Sequence, residues 1–126
     1  MIPAREALQR LIEGNQRFVN DEPNPGRHSD QAKRAELVAD QKPFAIILGC
    51  SDSRVPAEMV FDQGFGDLFV IRVAGNVVAP SQVGSVEFAA EWFDTRLVVV
   101  LGHTCCGAVS ATLDELPVQG DRKSGV

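Results

Sequence analysis

The spacing of apolar positions divides the chain near residue 44. Before that point hydrophobic residues recur at helical intervals. In "PAREALQRLIEGNQRFV" (3–19), Ala7, Leu8, Leu11 and Ile12 fall on one side of a helix and Pro3 suits its first turn. The pattern predicts an amphipathic helix, interrupted near Gly14. "DEPNPGRHS" (21–29) concentrates Pro, Gly and Asn and predicts a loop, after which Ser29 or Asp30 caps a second short helix running to Val38. Beyond residue 44 the apolar residues come in short unbroken runs, "FAIILGC" (44–50), "DLFVIRVAGN" (67–76) and "RLVVVLG" (96–102). Runs of that length without alternation predict strands buried on both faces. Between the last two, "SQVGSVEFAAEWF" (81–93) predicts a helix capped by Ser81, its apolar positions being Val83, Val86, Phe88, Ala90 and Phe93. Strand, crossover, strand, helix, strand is the order of an α/β fold, a parallel sheet flanked by helices.

Two of these runs end alike, in Gly49-Cys50 and in Gly102-His103. A parallel sheet brings both carboxyl ends to one edge, where open α/β folds bind ligands, and a glycine before each residue lets the backbone turn at the strand exit. His103 and Cys106, three positions apart, can approach one ion from a strand exit and a first helical turn, the helix beginning near Cys105 or Cys106. With Cys50 they make two thiolates and an imidazole, a set that suits zinc with an open fourth position. A free cysteine beside a strand is ordinarily a small core residue; the convergence of three donors sets these apart. Cys105 is expected to point elsewhere. In "CSDSRVP", Asp52 and Arg54 leave an extended segment on the same face. Arg54 would keep Asp52 ionised, ready to accept a hydrogen bond from a nucleophile at the metal or to take the open position itself.

Composition narrows the classes. At 126 residues, 44% hydrophobic and 23% charged, the chain supports one domain. A net charge of -5 without a basic stripe argues against nucleic acid. "LVVVL" (97–101) is far too short to span a membrane, and "MIPAREALQRL" has no secretory pattern, so a cytoplasmic location is expected. Three cysteines, an odd number, argue against a disulfide framework and for thiol or metal chemistry. His28 falls in a loop and reads as a solvated surface residue.

"CSDSRVPAEMVFDQGFGDLFVIRVAGN" together with "GHTCCGA" resembles the β-class carbonic anhydrases, whose pattern is a Cys-x-Asp-x-Arg loop and a distant His-x-x-Cys. The resemblance runs from about residue 3 to residue 115. It implies reversible hydration of carbon dioxide to bicarbonate and a proton. It also implies a zinc ion held by Cys50, His103 and Cys106, with Asp52 and Arg54 as the catalytic dyad. By the same resemblance Gln41, Phe69 and Phe88 line the carbon dioxide pocket, some across a dimer interface, and Gly107 offers its backbone N–H to substrate or product. From the residues alone, Phe69 and Phe88 are core and Gln41 is a loop residue. The family resemblance further implies a homodimer or larger homo-oligomer in which the N-terminal helix embraces the partner. Some relatives close the site by letting the aspartate ligate zinc, and in those a Trp commonly stands three residues before the first cysteine. Ile47 stands there in this chain, which points to the open form.

The family normally continues past the His-x-x-Cys helix with further helices and a strand. This chain instead runs into "PVQGDRKSGV", so a domain at 1–115 is expected, followed by a polar, flexible tail at 116–126 and an exposed sheet edge. Two other readings compete with an active hydratase. One is a catalytically weak zinc-binding fragment of such an enzyme. The other is a cysteine-thiolate phosphatase built on "CSDSR". In the latter only three residues separate Cys50 from Arg54, Asp52 repels phosphate, and His103 and Cys106 go unexplained. A thiol redox protein would want Cys-x-x-Cys, which is absent.

Overall fold

The three apolar runs pair into one sheet, with the most hydrophobic of them at its centre. The structure is a computed structural model and describes residues 1–25 and 29–115. Strands β1 (Ala45–Gly49), β2 (Leu68–Arg72) and β3 (Val98–Leu101) are all parallel, in the order β2-β1-β3. Gly49 pairs with Arg72 on one side and with Leu101 on the other, so the three strands end at one level. That register puts the residues leaving β1 and β3 side by side.

The five residues of β1 are buried throughout, as the unbroken run predicts. β2 and β3 depart from that expectation: Leu68 to Ile71 are only half-buried and Arg72 is exposed. Leu97, Val99 and Leu101 pack against the core, but Val98 and Val100 on the other face are 45% and 67% exposed. Helix α4 (Pro80–Trp92) packs on β1 and β2 and leaves those two valines open. Its start also differs from the prediction. Ser81 is not the cap; Pro80 occupies the first turn, and Gln82 Oε1 accepts the Ala79 N–H at 3.1 Å. Beneath α4, Phe69, Phe88 and Phe93 form an aromatic cluster with centroids 5.7–6.0 Å apart.

Helix α1 (Ala4–Val19) is continuous, and the predicted interruption at Gly14 is not there. Its buried stripe is Ala7, Leu11 and Gly14, whereas Leu8 and Ile12 are exposed. Gly14 serves close approach: a Cβ at that position would lie 1.8 Å from the Phe61 carbonyl oxygen. The partner is α3 (Ala57–Val60), a single turn hidden within the β1–β2 crossover that hydrophobic periodicity alone does not reveal. Asn15 Nδ2 donates to the Val60 carbonyl at 3.0 Å, and Arg17 Nε to the buried Asp62 Oδ2 at 2.6 Å, which fixes α1 against that crossover. Helix α2 (Gln31–Glu36) is capped by Asp30, whose Oδ1 accepts the Lys33 N–H at 3.0 Å, and it ends short of Val38. The last described element, α5 (Gly107–Glu115), follows β3 after a short turn. His28 and the expected tail at 116–126 lie outside the described residues. Among those described, no helix is long and apolar enough to cross a membrane.

Candidate metal centre

Cys50 is the first residue beyond β1 and is almost fully buried. His103 lies two residues beyond β3, and Cys106 immediately precedes α5, where its carbonyl accepts the Ser110 N–H at 3.0 Å. The helix therefore begins one residue later than predicted. The sulfurs of Cys50 and Cys106 are 3.9 Å apart, and one donor atom from each of Cys50, His103 and Cys106 falls within 4.8 Å of the others. Cys105 is exposed and sits outside the cluster. Its left-handed backbone (φ 56) turns the chain between His103 and Cys106, and its carbonyl accepts Arg54 Nη2 at 3.1 Å. The glycines at the strand exits do not have the predicted role: neither Gly49 nor Gly102 adopts a positive φ, and the left-handed positions near the site are Gly75, Asn76 and Cys105.

His103 tests whether a cation fits. Its Nδ1 is 2.8 Å from the Thr104 carbonyl, so Nδ1 carries the proton and donates. The other nitrogen, Nε2, is buried without a hydrogen-bond partner among the described residues, 3.9 Å from Asp52 Oδ2. A buried ring nitrogen left open in a cluster with two sulfurs is the arrangement a metal ion satisfies, with the Thr104 carbonyl holding the ring in place. Two sulfurs and one imidazole nitrogen match zinc.

The electrostatics agree. The Cys50 thiol is brought down to about 6, first by the His103 imidazole beside it, then by the backbone N–H groups of Gly75 and Asp52. The Gly75 N–H lies 3.3 Å from the sulfur. His103 is raised, chiefly by Cys50 and next by the Thr104 carbonyl. Arg54 donates to both oxygens of Asp52, Nε to Oδ1 at 2.9 Å and Nη2 to Oδ2 at 2.6 Å. That side-chain grip, and then the Arg54 backbone N–H, hold the Asp52 carboxyl far below the usual carboxylate range, while Asp52 raises Arg54 in turn.

The sequence profile of the carbonic anhydrase family matches residues 45–125, the stretch that carries all five of these side chains. This chain belongs to the β-class carbonic anhydrases. It is 52% identical over 108 residues to carbonic anhydrase 2 of Mycobacterium tuberculosis, covering 85% of this chain and 51% of that protein. It is 47% identical over 121 residues to a carbonic anhydrase of Mycolicibacterium smegmatis, covering 94% and 57%. The solved structure of the β-carbonic anhydrase CcaA superposes with a TM-score of 0.65 at 33% identity, over 90% of this chain and 56% of that one. The chain thus spans about half the length of the curated relatives it matches.

Not every residue implied by the family resemblance gathers at this centre. Gly107 does, as the residue after Cys106. Phe69 pairs with Ile46, three residues before the strand end, roughly 10 Å along the sheet. Phe88 and the exposed Gln41 line a cavity of about 540 Å³ with Trp92 and Phe93, and none of the three metal-ligand candidates borders it. Three residues close to the centre escape the sequence reading, namely Arg72, Gly75 and Asn76. The signal that could have found them is "RVAGN" itself, a Gly-Asn pair just past a strand, which marks a left-handed turn.

Proposed function

We propose that this chain catalyses the reversible hydration of carbon dioxide to bicarbonate and a proton, using zinc held by Cys50 Sγ, His103 Nε2 and Cys106 Sγ. The observation that carries the proposal is the buried His103 Nε2, without a hydrogen-bond partner among the described residues and clustered with two sulfurs, with a fixed carboxylate 3.9 Å away. Zinc bound there supplies a Lewis acid that makes water a nucleophile at neutral pH.

The protein's own groups supply the rest. Cys50, with its thiol near 6, is already a thiolate at neutral pH and ready to ligate. Asp52 is kept anionic and immobile by Arg54, so it can only accept a hydrogen bond; it orients the nucleophile's O–H and turns a lone pair toward the carbon. Because Arg54 occupies both carboxylate oxygens, the open form is favoured over an aspartate-ligated one, in keeping with Ile47 in β1. The same grip weakens the phosphatase reading, since Arg54 is committed to Asp52 rather than to a phosphate.

Gln41, Phe69 and Phe88 stand away from the centre of their own chain, so their pocket role needs a second copy. Leu8, Ile12 and Phe18, exposed along α1, support a homodimer or larger assembly in which that helix packs on the partner. Tetrameric β-carbonic anhydrases are known from Sordaria macrospora. Three unpaired cysteines suit a reducing, cytoplasmic setting. Metal analysis with stopped-flow hydration of carbon dioxide tests the proposal. About one zinc per chain is expected, with turnover that a chelator or Cys106→Ser abolishes. Zinc without turnover would leave a zinc-binding fragment, and no zinc uptake would overturn the metal centre.

A further inference from the structure

In the order β2-β1-β3 the ends of β2 and β3 lie two strand spacings apart, about 10 Å, with Cys50 emerging between them. One five-residue segment, Arg72 to Asn76, crosses that gap. Arg72, the last residue of β2, donates from Nε to the Cys50 carbonyl at 2.8 Å and from Nη2 to the Asp52 carbonyl at 2.6 Å. Val73 N–H continues the ladder to the Gly49 carbonyl at 3.0 Å. The chain then makes a 3₁₀ turn at Ala74–Asn76, in which Gly75 (φ 69) and Asn76 (φ 57) are both left-handed. That turn aims the Gly75 N–H at Cys50 Sγ and lets Asn76 Nδ2 donate to the Leu101 carbonyl at 2.7 Å, two residues before His103. A Cβ on Gly75 would meet the Ala108 Cβ at 3.2 Å, so the turn is also the surface on which α5, following Cys106, comes to rest.

The geometry points to Arg72 and Asn76 as positioning residues that lock the Cys50 and His103 strand exits into one frame, a role that rests on the metal-centre reading above. An exposed arginine ordinarily meets water or a carboxylate. Arg72 instead satisfies two carbonyls of the loop that carries Cys50 and Asp52, and so fixes that loop's path. Asn76 reaches over β1 to a strand that β2 never touches. Neither side chain is placed to ligate or to meet substrate; both act through the backbone of residues that do, as the outer partners of a metal centre commonly act.

Two variants separate this role from general folding. Asn76→Gly keeps the left-handed backbone and deletes only the amide; Arg72→Met keeps most of the stem and deletes both donors. Zinc affinity by competition with a chromophoric chelator should fall about ten- to a hundredfold in each. The thiolate-to-metal and d–d absorption bands of the cobalt-loaded chain should shift, while melting of the metal-free Asn76→Gly chain stays close to wild type. Arg72→Lys, able to keep one of the two bonds, should lie between, and it replaces Arg72→Met if that variant does not fold. Arg96→Met, at an exposed arginine paired with Asp94, should change nothing. Wild-type zinc affinity together with unchanged cobalt bands in the Arg72 and Asn76 variants overturns the positioning role. Failure of the wild-type chain to take up either metal overturns instead the metal centre on which the role rests.

Discussion

Asp52 and Arg54 form a closed pair: two guanidinium bonds at 2.6 and 2.9 Å and a backbone bond at 2.8 Å leave the carboxylate no freedom to rotate. The carboxylate is therefore a fixed anionic acceptor beside the Cys50, His103 and Cys106 cluster rather than part of it. Asp52→Asn preserves the size but turns an NH₂ toward groups that need an acceptor. Zinc content should stay at about one per chain while hydration falls roughly 10²- to 10⁴-fold. If zinc and activity were lost together, Asp52 would have to be counted as a ligand.

The depressed Cys50 thiol gives a pH signature in the metal-free chain. Thiolate, not thiol, reacts with iodoacetamide, so alkylation of Cys50 should rise with pH through a midpoint of about 6. His103 is the largest cause of the shift, so His103→Ala should move the midpoint upward, toward the ordinary value of 9.0. Peptide mass spectrometry resolves Cys50 from the other two cysteines. A midpoint that ignores the His103 substitution would mean that the imidazole does not act on the sulfur.

Gly14→Ala sets two effects against each other. Alanine favours the helix by about 1 kcal/mol, yet its Cβ would lie 1.8 Å from a backbone oxygen that cannot rotate away. Relief requires α1 to back off α3, stretching the Asn15–Val60 and Arg17–Asp62 bonds. Overpacking wins, and chemical denaturation should show a net loss of about 1–3 kcal/mol. An unchanged or raised stability would show that α1 is not seated on α3.

What the sequence makes legible here is what local pattern and strand-end geometry control. Cys50, His103 and Cys106 could be grouped because a parallel sheet must deliver the ends of two neighbouring strands to one edge, and their register does so. The misses have tertiary causes. Gly14 looks like a helix breaker because propensity carries no information about Phe61, and Val98 and Val100 look buried because coverage of one face of β3 depends on where α4 lands. Arg72 and Asn76 bond to carbonyls, which every residue has, so their partners leave no mark in the sequence. Gln41, Phe69 and Phe88 rest on the family resemblance, and one chain does not bring them to the Cys50, His103 and Cys106 cluster.

Zinc should also act as a folding ligand, and the response assigns the cysteines. A metal that binds only the folded chain stabilises it by about 2.7 kcal/mol at a hundred times its dissociation constant and about 4.1 kcal/mol at a thousand times. The melting temperature should therefore climb with added zinc and fall back on chelation. Cys105 and Cys106 are adjacent, but the left-handed turn at Cys105 leaves its side chain exposed and sends only Cys106 toward Cys50. Cys105→Ser should keep the zinc-dependent rise in thermal-shift measurements, and Cys106→Ser should lose it. The opposite pattern would exchange the two cysteines and undo the assignment of Cys106, because the chain would then have to reverse its turn after Thr104 to bring the neighbouring sulfur to His103.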